Sequence, residues 1–207
     1  MHIDRLSIGP IQTNCYVITC PETHQSAVID PGWNDPAILR AVERRAGQVK
    51  LILNTHAHWD HIGGNAALVR ATSAPLGIHP EALPMLRSRG GADKWLIPLE
   101  NSPEPDLLLE PGQVLEVGTL RLEVLYTPGH APGHVSFYEA AHGVVFDGDV
   151  LFNQGIGRTD LPGGSMEVLM HSIREVLFAL PDDVRVLSGH GPETTIGDEK
   201  RYNPWLT

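Results

Sequence analysis

Basic residues are few and form no basic run: Lys and Arg total 15 in 207 residues, against 25 Asp and Glu, for a formal net charge of -10. A protein that neutralises phosphates needs a basic patch or stripe, so this balance argues against nucleic-acid binding. Long apolar runs are also missing, and none approaches the roughly 18 residues that a membrane-spanning helix needs. The N-terminus, Met1-His2-Ile3-Asp4-Arg5, is polar and alternating and has neither an apolar core nor a small-residue cleavage site. Cysteine is scarce. Cys15 and Cys20 are too few for a disulfide framework and lack metal-site spacing, so both read as small buried hydrophobes in a reducing cytoplasm.

With hydrophobic residues at 42% and charged residues at 19%, a sizeable packed core is available. The length suits one domain spanning residues 1–207, or one fold built of two similar halves. Ile3–Ile8, Cys15–Thr19 and Ala27–Ile29 read as short strands, split by Gly9-Pro10 and Pro21. Asp35–Ala46 carries Ile38, Leu39, Val42 and Ala46 at helical spacing, with Gly47 as a stop. Leu51-Ile52-Leu53 is a short buried strand, and Asn65–Ala71 and Pro80–Arg87 read as helical. Residues 88–112, rich in Gly and Pro, read as a surface excursion or a join between halves. Strands at Val114–Val117, Leu120–Thr127, Val135–Glu139 and Val144–Phe146 follow, then a helix at Met166–Ala179 and a strand at Val184–Leu187. This order predicts a sheet-on-sheet core covered by helices.

Histidine is unusually placed: there are 11, several in loops rich in Gly or Asp. Thr55-His56-Ala57-His58-Trp59-Asp60-His61 follows an apolar strand and precedes a helix. In extended backbone alternate side chains share a face, so His56, His58 and Asp60 can project together, with His61 joining as the chain turns. Burying three imidazoles and a carboxylate is costly unless each is partnered, and a divalent cation satisfies all four. His130, Asp149 and His190 lie at later strand ends beside Gly129, Gly148 and Gly189. Together these make seven candidate ligands, enough for two metals sharing a bridge.

The His-x-His-x-Asp-His run, the later histidine, the Asp after Gly148 and the final Gly-His resemble the metal-ligand pattern of the metallo-β-lactamase superfamily, in the same order and over nearly the whole chain. The resemblance implies an α/β (α+β) fold, a four-layer αββα sandwich with metals at one edge. It places one metal on His56, His58 and His130, the other on Asp60, His61 and His190, and Asp149 as the bridge, with Asp60 and Asp149 serving catalysis. Asp30 is read as orienting a ligand histidine, with plain turn chemistry as the alternative, and His134 as a hydrogen-bonded support. Trp59 is expected to pack over the loop; His2, His24, His79, His142 and His171 read as surface or cap residues.

Two metals about 3.5–4 Å apart acidify a shared water, which supplies the nucleophile without a serine or cysteine. A thiolate leaves without protonation, since a thiol pKa is about 8.5, whereas an amine or alkoxide usually needs an acid. The chemistry therefore points to thioester hydrolysis on a small-molecule substrate. Gly129–His134, Asp147–Phe152 and Gly155–Asp160 also look like glyoxalase II (hydroxyacylglutathione hydrolase) and its short bacterial relatives. That resemblance implies that Arg158 contacts a glutathione carrier; pairing with Asp160 is the alternative. Asp160 and Pro192 replace two tyrosines of that family, and only residues 192–207 stand where its helical extension would be, so the carrier stays open. Zinc is the expected metal, with iron and manganese as alternatives. Persulfide dioxygenases on the same fold carry a similar Gly-x-Gly-Arg-Thr-Asp segment and use one iron, here on His56, His130 and Asp149. A metal-binding protein without turnover is the remaining alternative.

Overall fold

A computed structural model describes residues 1–206 of the chain. The first sheet is built from β1 (His2–Ile8), β2 (Thr13–Thr19), β3 (Gln25–Ile29), β4 (Gln48–Leu53), β5 (Leu76–Ile78) and β6 (Leu107–Leu108), in that spatial order. β1 to β3 form an antiparallel meander, and β3 to β6 run parallel. Parallel neighbours need crossovers. α1 (Pro36–Arg44) supplies the one between β3 and β4; α2 (Trp59–Ile62) and α3 (Asn65–Thr72) supply the next; α4 (Leu83–Arg87) lies between β5 and β6. Asp35 caps α1 by accepting from Ala37 N at 2.8 Å, with Pro36 in the first turn where its missing N–H costs nothing.

The second sheet takes β7 (Val114–Val117), β8 (Leu120–Tyr126), β9 (Val135–Glu139) and β10 (Val144–Gly148) as a meander. After the small hairpin β11 (Leu151–Phe152) and β12 (Gly155–Ile156), α5 (Met166–His171) crosses to β13 (Arg185–Ser188), which pairs parallel with β10. β14 (Thr194–Thr195) adds the edge, and α6 (Ile196–Tyr202) follows it.

Strand alternation sorts the core into layers. Tyr16 and Ile18 of β2 face the second sheet and meet Leu122, Val124, Phe137 and Phe146 there. Cys15 and Val17, on the opposite face, pack under α1 and α3 with Ile38, Val42 and Leu68. Val145, Leu169, Ile173 and Val186 fill the space between the second sheet and α5. The order is helix, sheet, sheet, helix. Phe137 is fully buried between the sheets. Phe137→Ala is expected to cost about 3–5 kcal/mol, read as a lowered urea midpoint at unchanged slope. Cys15 and Cys20 are both buried and unpaired.

Several elements differ from the sequence reading. β5, β6, β14 and α6 were not foreseen, because two- and three-residue strands and a polar seven-residue helix leave little periodic signal. Residues 88–112 are more than a surface join. They bury Ala92, Leu99 and Leu109, supply β6, and form a 3-10 segment at Arg89–Trp95 that packs on α2. The helix expected at Met166–Ala179 is α-helical only to His171, then widens through a π turn at Ser172–Val176 and tightens at Leu177–Ala179. His79 is a cap, accepting from Glu81 N, but it is buried rather than on the surface. No helix among the described residues is long and apolar enough to cross a membrane.

Candidate metal centre

Four strand ends converge on one place. β4 runs into Thr55 and His56, with His58 at the start of α2, and Asp60 and His61 inside it. The turn after β8 carries His130, the end of β10 carries Asp149, and the turn after β13 carries His190. His58 Nδ1 lies 2.8 Å from His130 Nε2. His190 Nε2 and His61 Nε2 lie 3.1 and 3.3 Å from Asp60 Oδ2. Asp149 spans the two groups: Oδ1 is 3.4 Å from His61 Nε2, and Oδ2 is 3.5 Å from His130 Nε2 and 3.7 Å from His190 Nε2. His56, His58 and His130 form one set of donor atoms within 4.8 Å of one another; Asp60, His61 and His190 form another. Asp30, His56 and His61 form a third.

The surrounding hydrogen bonds fix which ring nitrogen each histidine presents. Asp30 Oδ2 accepts from His61 Nδ1 at 2.9 Å and from the Thr55 hydroxyl at 2.7 Å, while Oδ1 accepts from Thr55 N at 2.8 Å. The Thr55 oxygen in turn accepts from His56 Nδ1 at 2.9 Å. His130 Nδ1 donates to the Arg158 carbonyl at 2.8 Å. Each of these three rings therefore turns its Nε2 into the cluster. His134 donates from Nδ1 to the Thr127 hydroxyl, accepts from Asp149 N at Nε2, and stacks on His56 with ring centroids 4.9 Å apart.

Electrostatics favour a cation here. Burial holds His56 and His134 well below the usual imidazole range and His58 down at about 4, so these rings are neutral. Burial alone would raise the Asp60 and Asp149 carboxyls; His61 and its neighbouring imidazoles reverse this and hold both well below the carboxylate range. Burial would likewise lower His61, but Asp149, Asp60 and Asp30 raise it well above its ordinary value. Positive charge is what this pocket attracts. His56 Nε2, His61 Nε2 and Asp149 Oδ1 are buried and accept or donate no hydrogen bond. Three orphaned polar atoms aimed into one cluster are what a divalent cation would satisfy, and imidazole with carboxylate is a donor set suited to zinc, iron or manganese.

Two glycines are required by crowding alone. A Cβ at Gly189 would collide with Asp149 Oδ1 and the His61 ring, and one at Gly157 with the Asp149 carbonyl. Arg158 pairs its side chain with Asp160: its Nε and Nη2 donate to the two Asp160 carboxylate oxygens at 2.7 and 2.8 Å. Its contribution to the cluster itself is the backbone carbonyl that holds His130. Trp59 packs with Ile62, Ile78 and Leu86 over the histidine loop. Sequence reasoning missed Thr13, Asn14, Thr55 and Thr127, whose neutral side chains carry no motif signal and acquire roles only through tertiary contact.

Residues 8–190 match the model of the metallo-beta-lactamase superfamily. The chain belongs to that superfamily. It is 37% identical over 214 residues to hydroxyacylglutathione hydrolase GloC of Haemophilus influenzae, covering all of this chain and 98% of that protein. Among solved structures it is similar to BLEG-1, a B3 metallo-beta-lactamase, with a TM-score of 0.93 and 39% identity over the whole of both chains. It is also similar to TTHA1623 in a di-iron-bound form, with a TM-score of 0.90 and 39% identity over 98% of this chain and all of that one. A metallo-hydrolase fold and a site of histidines and aspartates suited to divalent metals follow for this chain.

Proposed function

We propose that the protein is a binuclear metal-dependent thioester hydrolase of the hydroxyacylglutathione hydrolase type. The observation that carries this reading is the trio of orphaned atoms, His56 Nε2, His61 Nε2 and Asp149 Oδ1, set among two three-residue donor groups. On this reading His56, His58 and His130 hold one metal, Asp60, His61 and His190 the other, and Asp149 reaches both. When bound, such a pair supplies a water acidified toward neutrality and Lewis-acid polarisation of the carbonyl. Zinc is the metal proposed first. The di-iron form of TTHA1623 keeps iron open.

The chain's own residues orient and neutralise. Asp30 and Thr55 lock His61 and His56 with Nε2 inward, Arg158 O does the same for His130, and His134 steadies the Asp149 backbone. The side chains gathered at the cluster are the proposed ligands and the groups that orient them. Among the described residues none of these is set apart as an acid for a poor leaving group, which favours a thiolate that departs unprotonated. Arg158 is proposed to meet an acidic thiol carrier through its Nη1 edge, which Asp160 does not take. Residues 1–207 are proposed as one domain of two similar halves joined near residues 88–112, which accords with one sheet from residues 2–108 and another from 114–195. Reduced Cys15 and Cys20 accord with a cytoplasmic setting.

The deciding experiment is metal content per chain on freshly purified protein, with S-lactoylglutathione and a chromogenic cephalosporin assayed on the same sample. Two metals and thioester turnover are expected. Cephalosporin turnover without thioester turnover would move the substrate to the β-lactam class. One iron with oxygen uptake on glutathione persulfide would replace hydrolysis by dioxygenation, and a metal-loaded but inert chain would leave a binding protein.

A further inference from the structure

The Asp60–His61–His190 group is held by β2 of the first sheet, at a point that the metal-ligand pattern does not include. Thr13 opens β2 and is buried. Its hydroxyl donates to Asp60 Oδ2 at 3.1 Å. That is the carboxylate oxygen facing His190 Nε2 and His61 Nε2, at 3.1 and 3.3 Å. A threonine side chain is stiff at χ1, so a buried Thr on a strand fixes the direction of its hydroxyl. The next residue grips the other arm of the group. Asn14 N donates to Gly189 O at 2.7 Å, and Asn14 Nδ2 donates to Ser188 O and Gly191 O, both at 2.9 Å. These bonds bracket His190 on both sides along its turn. Asp60 comes from α2 and His190 from the turn after β13, so nothing in their own elements ties the two together. The first two residues of β2 do so. Among the described residues no hydrogen bond joins Thr13 or Asn14 to the His56–His58–His130 group; His56 bonds to Thr55, His130 to the Arg158 carbonyl, and His58 faces His130.

We propose that Thr13 is a positioning residue for one metal position only, the Asp60–His61–His190 position, and that its hydroxyl sets the affinity of that position relative to its neighbour. This rests on the two-position reading above. Thr13 orients a ligand oxygen and offsets part of its negative charge. Asn14 keeps His190 within reach of the same oxygen. Loss of such an orienting bond lowers metal affinity by about 10–100-fold.

The test is zinc titration against a chromophoric chelator for wild type, Thr13→Ala and Thr13→Ser, with the melting temperature of each metal-free chain measured alongside. Alanine and serine here differ by the one oxygen in question. The expected result is that one binding step weakens in Thr13→Ala by at least about tenfold while the other is unchanged, and that Thr13→Ser restores the weakened step. Thr13→Val repeats the deletion with the side-chain volume kept. Equal affinities in Thr13→Ala and Thr13→Ser would overturn the assignment, as would an equal weakening of both steps, which marks a general loss of structure. Should wild type hold a single zinc, the two-metal hydrolase reading fails on that count by itself. Thr13 is then decided by whether that one affinity drops in Thr13→Ala and returns in Thr13→Ser.

Discussion

Asp149→Ala is expected to lower thioester hydrolysis by well over 100-fold and to cut bound metal from two per chain to at most one. The residue offers a different oxygen to each group, Oδ1 toward His61 and Oδ2 toward His130 and His190. Removing it takes a donor from both proposed positions at once. It also takes away a negative charge that the neighbouring imidazoles hold ionised far below the usual carboxylate range. Loss of a group that merely orients a ligand costs about 10–100-fold, so loss of the shared ligand must exceed that. Metal analysis and the hydrolysis rate on one preparation check it. An Asp149→Ala chain that retained two metals and full turnover would remove Asp149 from the bridging role.

Asp30→Asn is expected to have the next largest effect, and to act without touching metal or substrate. The Asp30 carboxylate accepts three buried hydrogen bonds, from Thr55 N, Thr55 Oγ1 and His61 Nδ1. A carboxamide has one oxygen for three donors, and its amide group faces donors where an acceptor is needed. Each buried donor left unmatched costs about 1–3 kcal/mol, so a loss of about 2 kcal/mol or more in metal-free stability is expected by urea titration. Zinc affinity is expected to fall by about 10–100-fold, since both His61 and the Thr55–His56 relay lose their anchor. Asparagine is the informative replacement because Asp30 sits at a φ of 50°, a left-handed conformation that Asn tolerates and most residues do not. Stability and zinc affinity both at wild-type values would reduce Asp30 to turn chemistry.

Much of the layer order was legible in the amino acids. Strands with apolar residues on both faces, such as Cys15–Thr19, can only lie between two covering layers, and the amphipathic segment at residues 35–46 can only lie outside a sheet. The parts that escaped were short. β5 and β6 span three and two residues, and their pairing depends on β4 already being in place. The π turn at Ser172–Val176 escaped too, because the apolar spacing around it is compatible with an unbroken helix.

By itself the sequence determined the local chemistry: His56, His58, Asp60 and His61 are confined to six residues between a strand and a helix, so their proximity needs no long-range information. It also placed Gly148 and Gly189 beside Asp149 and His190, where a Cβ would collide with Thr55 Oγ1 and with Asp149 Oδ1. Only the tertiary structure decided that His130, Asp149 and His190 arrive from three strands of the other sheet to meet them. The same holds for Arg158 turning to Asp160 and for Thr13 reaching Asp60. The physical reason is range. Periodicity and loop composition report forces between residues a few positions apart, whereas Thr13 and Asp60 are 47 positions apart and meet only when β2, β3 and β4 have paired into one sheet.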